Sequence, residues 1–264
     1  MTFPVMLTFD LDAESGALAQ DPMNANRPGV LSVGQYGPKV GVHRILKLLD
    51  EEAIPATFFI PGWVVDKYPA AVEAVANAGH EIAHHGYTHQ PPATFASRDE
   101  EEAGLAQGIA SIVRQTGQRP LGYRSPSWDF SPHTLSLLEQ YGFLYSSNLM
   151  DDDAPYTHSI AGRATRLVEL PIQWMNDDAP FFMFRPPNPR PIQPASHPFE
   201  IWTEELQILH REGKVFVLTM HPQIIGRPSR AQMLKRFIAF ARSLGNVEFR
   251  RCHEVAADYL AQTA

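Results

Sequence analysis

Short apolar runs of strand length recur along this chain between helical patterns, and that alternation constrains the fold more than any other feature. Residues 5–9 (VMLTF), 56–60 (ATFFI) and 215–220 (VFVLTM) are continuous apolar runs, as strands buried on both faces are. Between them, Val42, Ile45, Leu46 and Leu49 share one face of a helix over 42–52, and a second helix over 69–78 stops at Gly79. Ser97, three residues before Glu100, makes a capping box for a helix that carries Leu105, Ile109 and Ile112 and ends near Gly117. Shorter strand-like runs lie at 80–83, 121–123, 144–147, 168–172 and 247–249, and further helices at 131–141, 199–212, 230–243 and 255–262. Strands alternating with helices imply a parallel sheet with helices outside it. An α/β barrel occupying residues 1–264 as a single domain is therefore expected. Two stretches interrupt the pattern. Residues 14–38, rich in Gly, Pro and Asn, read as a loop, and residues 177–198, with seven prolines, read as a loop over the site.

In such a barrel the loops after the strand ends share one face, where active sites lie. Asp10, Asp12, His85, His89, Arg124 and His221 all fall at or just after strand ends, although they are far apart in sequence. His85 and His89 stand four residues apart. On one turn of helix that spacing puts both imidazoles on one face, close enough to share a metal ion. A divalent site needs a third protein ligand and an open position, and a carboxylate from Asp10-Leu11-Asp12 supplies the ligand. Each residue also has a plain structural reading: two histidines four apart arise by chance, a strand-end aspartate closes a turn, and His221 before Pro222 is a hydrogen-bonded core histidine. Trp128, Tyr36 and Trp174 read as core residues sooner than as substrate walls.

Composition narrows the function classes. A net charge of −7 without a long block of one sign argues against a nucleic-acid surface. No apolar run reaches the roughly 18 residues that span a bilayer, and the N-terminus lacks the pattern of a signal peptide. The single cysteine, Cys252, forbids an internal disulfide and suits a reducing compartment. A cytoplasmic enzyme that touches neither nucleic acid nor membrane is expected.

The ordered motifs resemble those of the polysaccharide deacetylase (NodB-homology) family. Thr8-Phe9-Asp10-Leu11-Asp12 is similar to its first motif, with Leu11 inserted between the aspartates. His80-Glu81-Ile82-Ala83-His84-His85-Gly86-Tyr87-Thr88-His89 is similar to the second, Arg124-Ser125-Pro126-Ser127-Trp128 to the third, and Leu218-Thr219-Met220-His221-Pro222 to the last. The resemblance implies an incomplete, distorted (β/α) barrel and a divalent metal ion, zinc above all, held by Asp12, His85 and His89. It implies Asp10 as the general base, Arg124 as the cation that keeps Asp10 ionised and oriented, and His221 as the acid for the departing nitrogen. His84, adjacent to a ligand, is expected to point elsewhere. The inserted Leu11 and the stretches 150–156, 174–180 and 221–228 resemble a cytoplasmic branch with allantoinase-like ring openers, cyclic imide hydrolases and peptidoglycan-deacetylase-like proteins. A small, cyclic amide or imide is the substrate this implies, with the proline-rich loop as a lid. N-deacetylation of an amino sugar, chitooligosaccharide or peptidoglycan fragment is the alternative, and a non-catalytic binding module that kept the fold is a third. The resemblance also implies a homo-oligomer.

Overall fold

The computed structural model describes residues 2–184 and 191–263. Its strands are β1 (Phe3–Asp10), β2 (Thr57–Ile60), β3 (Glu81–His84), β4 (Gly122–Tyr123), β5 (Tyr145–Ser146), β6 (Tyr156–Ile160), β7 (Arg163–Glu169), β8 (Phe216–Met220) and β9 (Val247–Phe249). They form one sheet in the order β6-β7-β5-β4-β3-β2-β1-β8, with β9 paired to β1. Every pairing is parallel except β6–β7, a hairpin that the sequence pattern did not suggest. Strands β7 and β8 share no ladder. A single bridge, Asp177 to Thr219, links the segment after β7 to β8, so the barrel is incomplete and distorted as expected.

Side-chain parity organises the interior. Along β1, Phe3, Val5, Leu7 and Phe9, followed by Leu11, pack with the outer helices in the largest core cluster. Met6 belongs instead to the inner cluster with Phe59, Ala83, Tyr145, Val168, Leu170 and Val217. Because successive strand residues face opposite ways, Thr8, Asp10 and Asp12 share the inner face with Met6. The inserted Leu11 thus takes an outer position, fully buried, and keeps both aspartates on the inner one. Each outer side chain of this strand contributes on the order of 1.5–3 kcal/mol by burial, which fixes the register and therefore which residues look inward.

The long helices match their sequence signals. Ser97 Oγ accepts from Glu100 N at 3.2 Å, Glu100 reaches back to Ala96 N, and the helix Arg98–Thr116 closes on Gly117 in the left-handed conformation. Residues 14–38 differ from expectation. Helices Ser15–Gln20 and Pro28–Tyr36, a 3₁₀ turn at Pro22–Asn26 and a π-helical turn at Gly37–Gly41 run directly into the helix Val42–Glu51. Tertiary contact overrides the weak helix propensity of this segment: a β-carbon on Gly34 would strike the carbonyl of Ala13, and one on Gly41 the carbonyl of Pro222. These two glycines let the segment lie against the residues after Asp12 and after His221. The expected loop 177–198 holds a short helix, Ala179–Phe182, and the next helix begins at Ser196, with Pro198 in its first turn. Residues 185–190, the centre of the expected lid, lie outside the described residues. Among the described residues, no helix is long and apolar enough to cross a membrane.

Candidate metal centre and active site

Asp10, Asp12, His85, His89, Arg124 and His221 converge at the C-terminal ends of β1, β3, β4 and β8. Asp12 Oδ1 stands 3.4 Å from His85 Nε2 and 3.4 Å from His89 Nε2. These separations are too long for good hydrogen bonds, and Asp12 Oδ1 is a buried oxygen without a hydrogen-bond partner. Two ligands of a tetrahedral ion with bonds of ~2.0–2.1 Å stand ~3.3 Å apart. The three donor atoms, all within 4.8 Å of one another, therefore fit one ion better than they fit each other. His85 Nδ1 lies 2.7 Å from the Arg124 carbonyl, which assigns its proton there and leaves Nε2 as a lone-pair donor. The His89 side chain is 14% exposed where His85 is 2%, so His89 marks the open side of the group. Burial pushes the Asp12 carboxyl upwards, but His89, His85 and His221 outweigh it and hold it well below the usual range. For His85, burial is outweighed by Asp10 and Asp12, which raise it. This donor set suits a divalent cation.

The expected helix over His85–His89 is not formed. Strand β3 ends at His84, and the following residues are loop, with Gly86 at φ +71° and His89 at φ +63°. Left-handed backbone at both positions is incompatible with an α-helix. The loop nevertheless brings the two rings together, with centroids 5.0 Å apart and planes at 77°.

Arg124 is fully buried. Its Nη1 donates to Asp10 Oδ1 at 2.8 Å and Thr8 Oγ1 at 2.8 Å, its Nη2 to Ser147 Oγ at 2.9 Å and its Nε to Ser147 O at 3.2 Å. The pair with Asp10 is thus a single bond and not a bidentate fork, because the other donors are used by Thr8 and Ser147. Asp10 Oδ2 remains directed towards the metal group, 3.9 Å from His85 Nε2.

His221 completes the opposite wall. Its Nδ1 lies 2.7 Å from Asp178 Oδ1, its backbone N donates to Asp178 Oδ2 at 3.0 Å, and its Nε2 points at Asp12 Oδ2, 3.6 Å away. Asp177 Oδ1 stands 3.6 Å from the same Nδ1. Burial would lower His221, but Asp177 and Asp178 outweigh it and hold the ring protonated. Burial likewise pushes Asp177 up to about 7 and raises Asp178, with His221 opposing both. The two bonds from His221 make Asp178 the partner that fixes the ring. Sequence reasoning missed both aspartates by absorbing them into the proline-rich loop. Their signal was available, since an acidic pair follows the run 168–172 as other site residues follow theirs. Thr8 and Ser147, which hold Arg124, carried no signal beyond inner-face parity. Of the aromatic candidates, Trp128 and Trp174 pair with centroids 4.2 Å apart, whereas Tyr36 lies beneath the Arg227 guanidinium.

His84 points to the outer face, where Nε2 meets the Leu105 carbonyl at 3.1 Å and Nδ1 accepts from Gly86 N at 3.0 Å. Burial lowers it from 6.5 to about 3. The unfolded chain therefore binds one more proton at this residue between those two pH values, so stability present above about pH 6.5 is lost as the pH falls towards 3. In His84→Phe the slope of unfolding free energy against pH near about pH 5 should drop by about 1.4 kcal/mol per unit relative to wild type. Urea unfolding at a series of pH values measures it. An unchanged slope would mean that His84 is charged in the folded protein.

The profile of the family described as Polysaccharide deacetylase matches residues 26–146, a stretch that contains His85, His89 and Arg124 and stops before His221. The Helicobacter pylori protein named Peptidoglycan deacetylase is 31% identical to this chain over 95% of it and 94% of that protein. A solved Mycobacterium smegmatis structure, described as a candidate polysaccharide deacetylase, is 41% identical, with a TM-score of 0.94 over 99% of this chain and 91% of that one. The structure of Puue allantoinase is 26% identical, with a TM-score of 0.84 over 98% of this chain and 90% of its own.

Proposed function

This chain belongs to the polysaccharide deacetylase family, and on that premise we propose that it is a zinc-dependent hydrolase that opens a small, cyclic amide or imide, with residues 1–264 acting as one catalytic domain. The coarser activity, hydrolysis of a carbon–nitrogen bond other than a peptide bond, is that of its relatives. One observation carries the reading: the Asp12–His85–His89 group lies between an Asp10–Arg124 pair and a His221–Asp178 pair. The near full-length likeness to an allantoinase supports the ring substrate. The identity to a peptidoglycan deacetylase favours a second reading, removal of an acetyl group from an amino sugar.

Asp12, His85 and His89 would hold the ion. Two imidazoles and a carboxylate with an open position suit zinc, and the chemistry it supplies is that of a Lewis acid acting on a carbonyl and on water near neutral pH. Asp10 takes a proton from the attacking water with Oδ2, since Arg124 occupies Oδ1. Arg124 Nη1, 2.8 Å from Oδ1, fixes the angle of that carboxylate. His221, tied at Nδ1 by Asp178, presents its other N–H to the departing nitrogen, which leaves as a neutral amide from an imide, or as an amine from a simple amide, once it is protonated. Zinc-loaded protein assayed on succinimide, allantoin and N-acetylglucosamine oligomers tests the reading. Turnover of a ring substrate is expected, and turnover of the oligomers alone would overturn it.

A further inference from the structure

Resting on that hydrolase reading, we propose that Glu169 is a positioning residue, which sets the angle of Asp10 through the segment 147–149 and Arg124. Glu169 ends β7 and is fully buried. Val168 and Leu170 on either side of it belong to the inner cluster, so its own side chain points to the other face of the sheet. It therefore acts on a substrate only through other residues.

Strand β5 ends at Ser146, and beyond it a side chain takes up the N–H groups of Asn148 and Leu149. Glu169 Oε1 accepts from Asn148 N at 2.6 Å and from Leu149 N at 2.9 Å. Oε2 lies 2.8 Å from Nε2 of buried His158, which the β6–β7 hairpin brings to it. A buried carboxylate with these partners is a fixed point, since losing it strands polar groups away from water. Held from that side, the segment grips residues 123–125 from the other. Asn148 Oδ1 accepts from Ser125 N at 2.6 Å and Ser125 Oγ at 2.9 Å, and Asn148 Nδ2 donates to Tyr123 O and Ser146 Oγ. Both lone pairs and both protons of this amide are thereby used. Ser147 takes Nε and Nη2 of Arg124, which leaves Nη1 for Asp10 and Thr8. Where Ser147 sits thus decides where Arg124 holds Asp10. Just beyond Ser125 the backbone is left-handed at Ser127 and Trp128, with φ of +60° and +54°. Such a conformation persists only where its surroundings impose it, and Asn148 holds its start.

At saturating zinc, Glu169→Met should lower kcat about 10–100-fold, the usual loss when a partner behind a site residue is removed. The assay uses whichever of succinimide, allantoin and N-acetylglucosamine oligomers the wild type turns over, and KM should stay within about two-fold. Glu169→Gln, which keeps an acceptor for both N–H groups, should restore kcat to within about three-fold of wild type. In the Asp10→Asn background Glu169→Met should cost less than about three-fold, because residues that act as one unit are not additive. Hydrogen exchange at the Arg124 Nε–H, read by NMR and assigned with Arg124→Met, answers without turnover. Glu169→Met should speed it at least about ten-fold more than it speeds the buried amides of β8, since a general loss of stability speeds both alike. If Glu169→Met does not fold, Asn148→Ala breaks the next link towards Arg124 and replaces it in the Asp10→Asn and exchange comparisons. Equal losses of kcat with and without Asp10, a Glu169→Gln as slow as Glu169→Met, or Arg124 exchange that rises only with β8 would overturn the positioning role. The two readings fail separately. Selective loosening of Arg124 in a protein that turns over none of these substrates removes the hydrolase and leaves the positioning role, whereas turnover with Arg124 unmoved removes the positioning role alone.

Discussion

Asp10→Asn should cost about 10²–10⁴-fold in kcat, the usual contribution of a positioned general base, while the protein retains its zinc. The asparagine keeps the shape of the side chain and an oxygen for Arg124 Nη1, which donates to Asp10 Oδ1 at 2.8 Å. What it removes is a carboxylate oxygen able to accept a proton. Asp12→Asn should fail differently. Asp12 Oδ1 stands 3.4 Å from both imidazole nitrogens, so neutralising it weakens the ion's hold and activity falls with the metal content. Turnover and metal content measured on the same samples separate the two residues. Equal metal loss in both variants would mean that the roles are shared or reversed.

Arg124→Met should destabilise the protein by about 3–5 kcal/mol, the usual cost of breaking a buried ion pair from one side. Arg124 is fully buried and Asp10 is 2% exposed, so water cannot replace the guanidinium. The substitution strands the Asp10 charge, the Thr8 hydroxyl and two Ser147 oxygens. It also removes a cation held 4.0 Å above the Phe59 ring. Urea unfolding of Arg124→Met, Asp10→Asn and the double variant measures the coupling, and the double variant should recover part of the loss. A cost below about 1 kcal/mol, the value of an exposed pair, would contradict this account.

The strands and most of the site were legible because burial on both faces leaves a plain apolar signature and because parity is a local property. Asp10 at the end of β1 and Asp12 two residues on, and His85 one step from His84, follow from alternation: the even partners of Met6 look inward, and His84 and His85 must look opposite ways. The helices in residues 14–38 were not legible, since close approach at Gly34 and Gly41 to the carbonyls of Ala13 and Pro222 is a tertiary fact. Nor was the conformation of His89, whose φ of +63° belongs to a loop that only the assembled site explains. Asp177 and Asp178 lay in a stretch dominated by proline. Their place became clear only where the chain crosses the gap between β7 and β8 and bridges to Thr219, next to His221.

Zinc titration of the metal-stripped protein, followed by calorimetry, tests the central claim most directly. The account predicts one site per chain in the wild type, kept in Asp10→Asn and lost in Asp12→Asn, His85→Ala and His89→Ala. Wild-type protein that takes up no more zinc than these last three variants would contradict it.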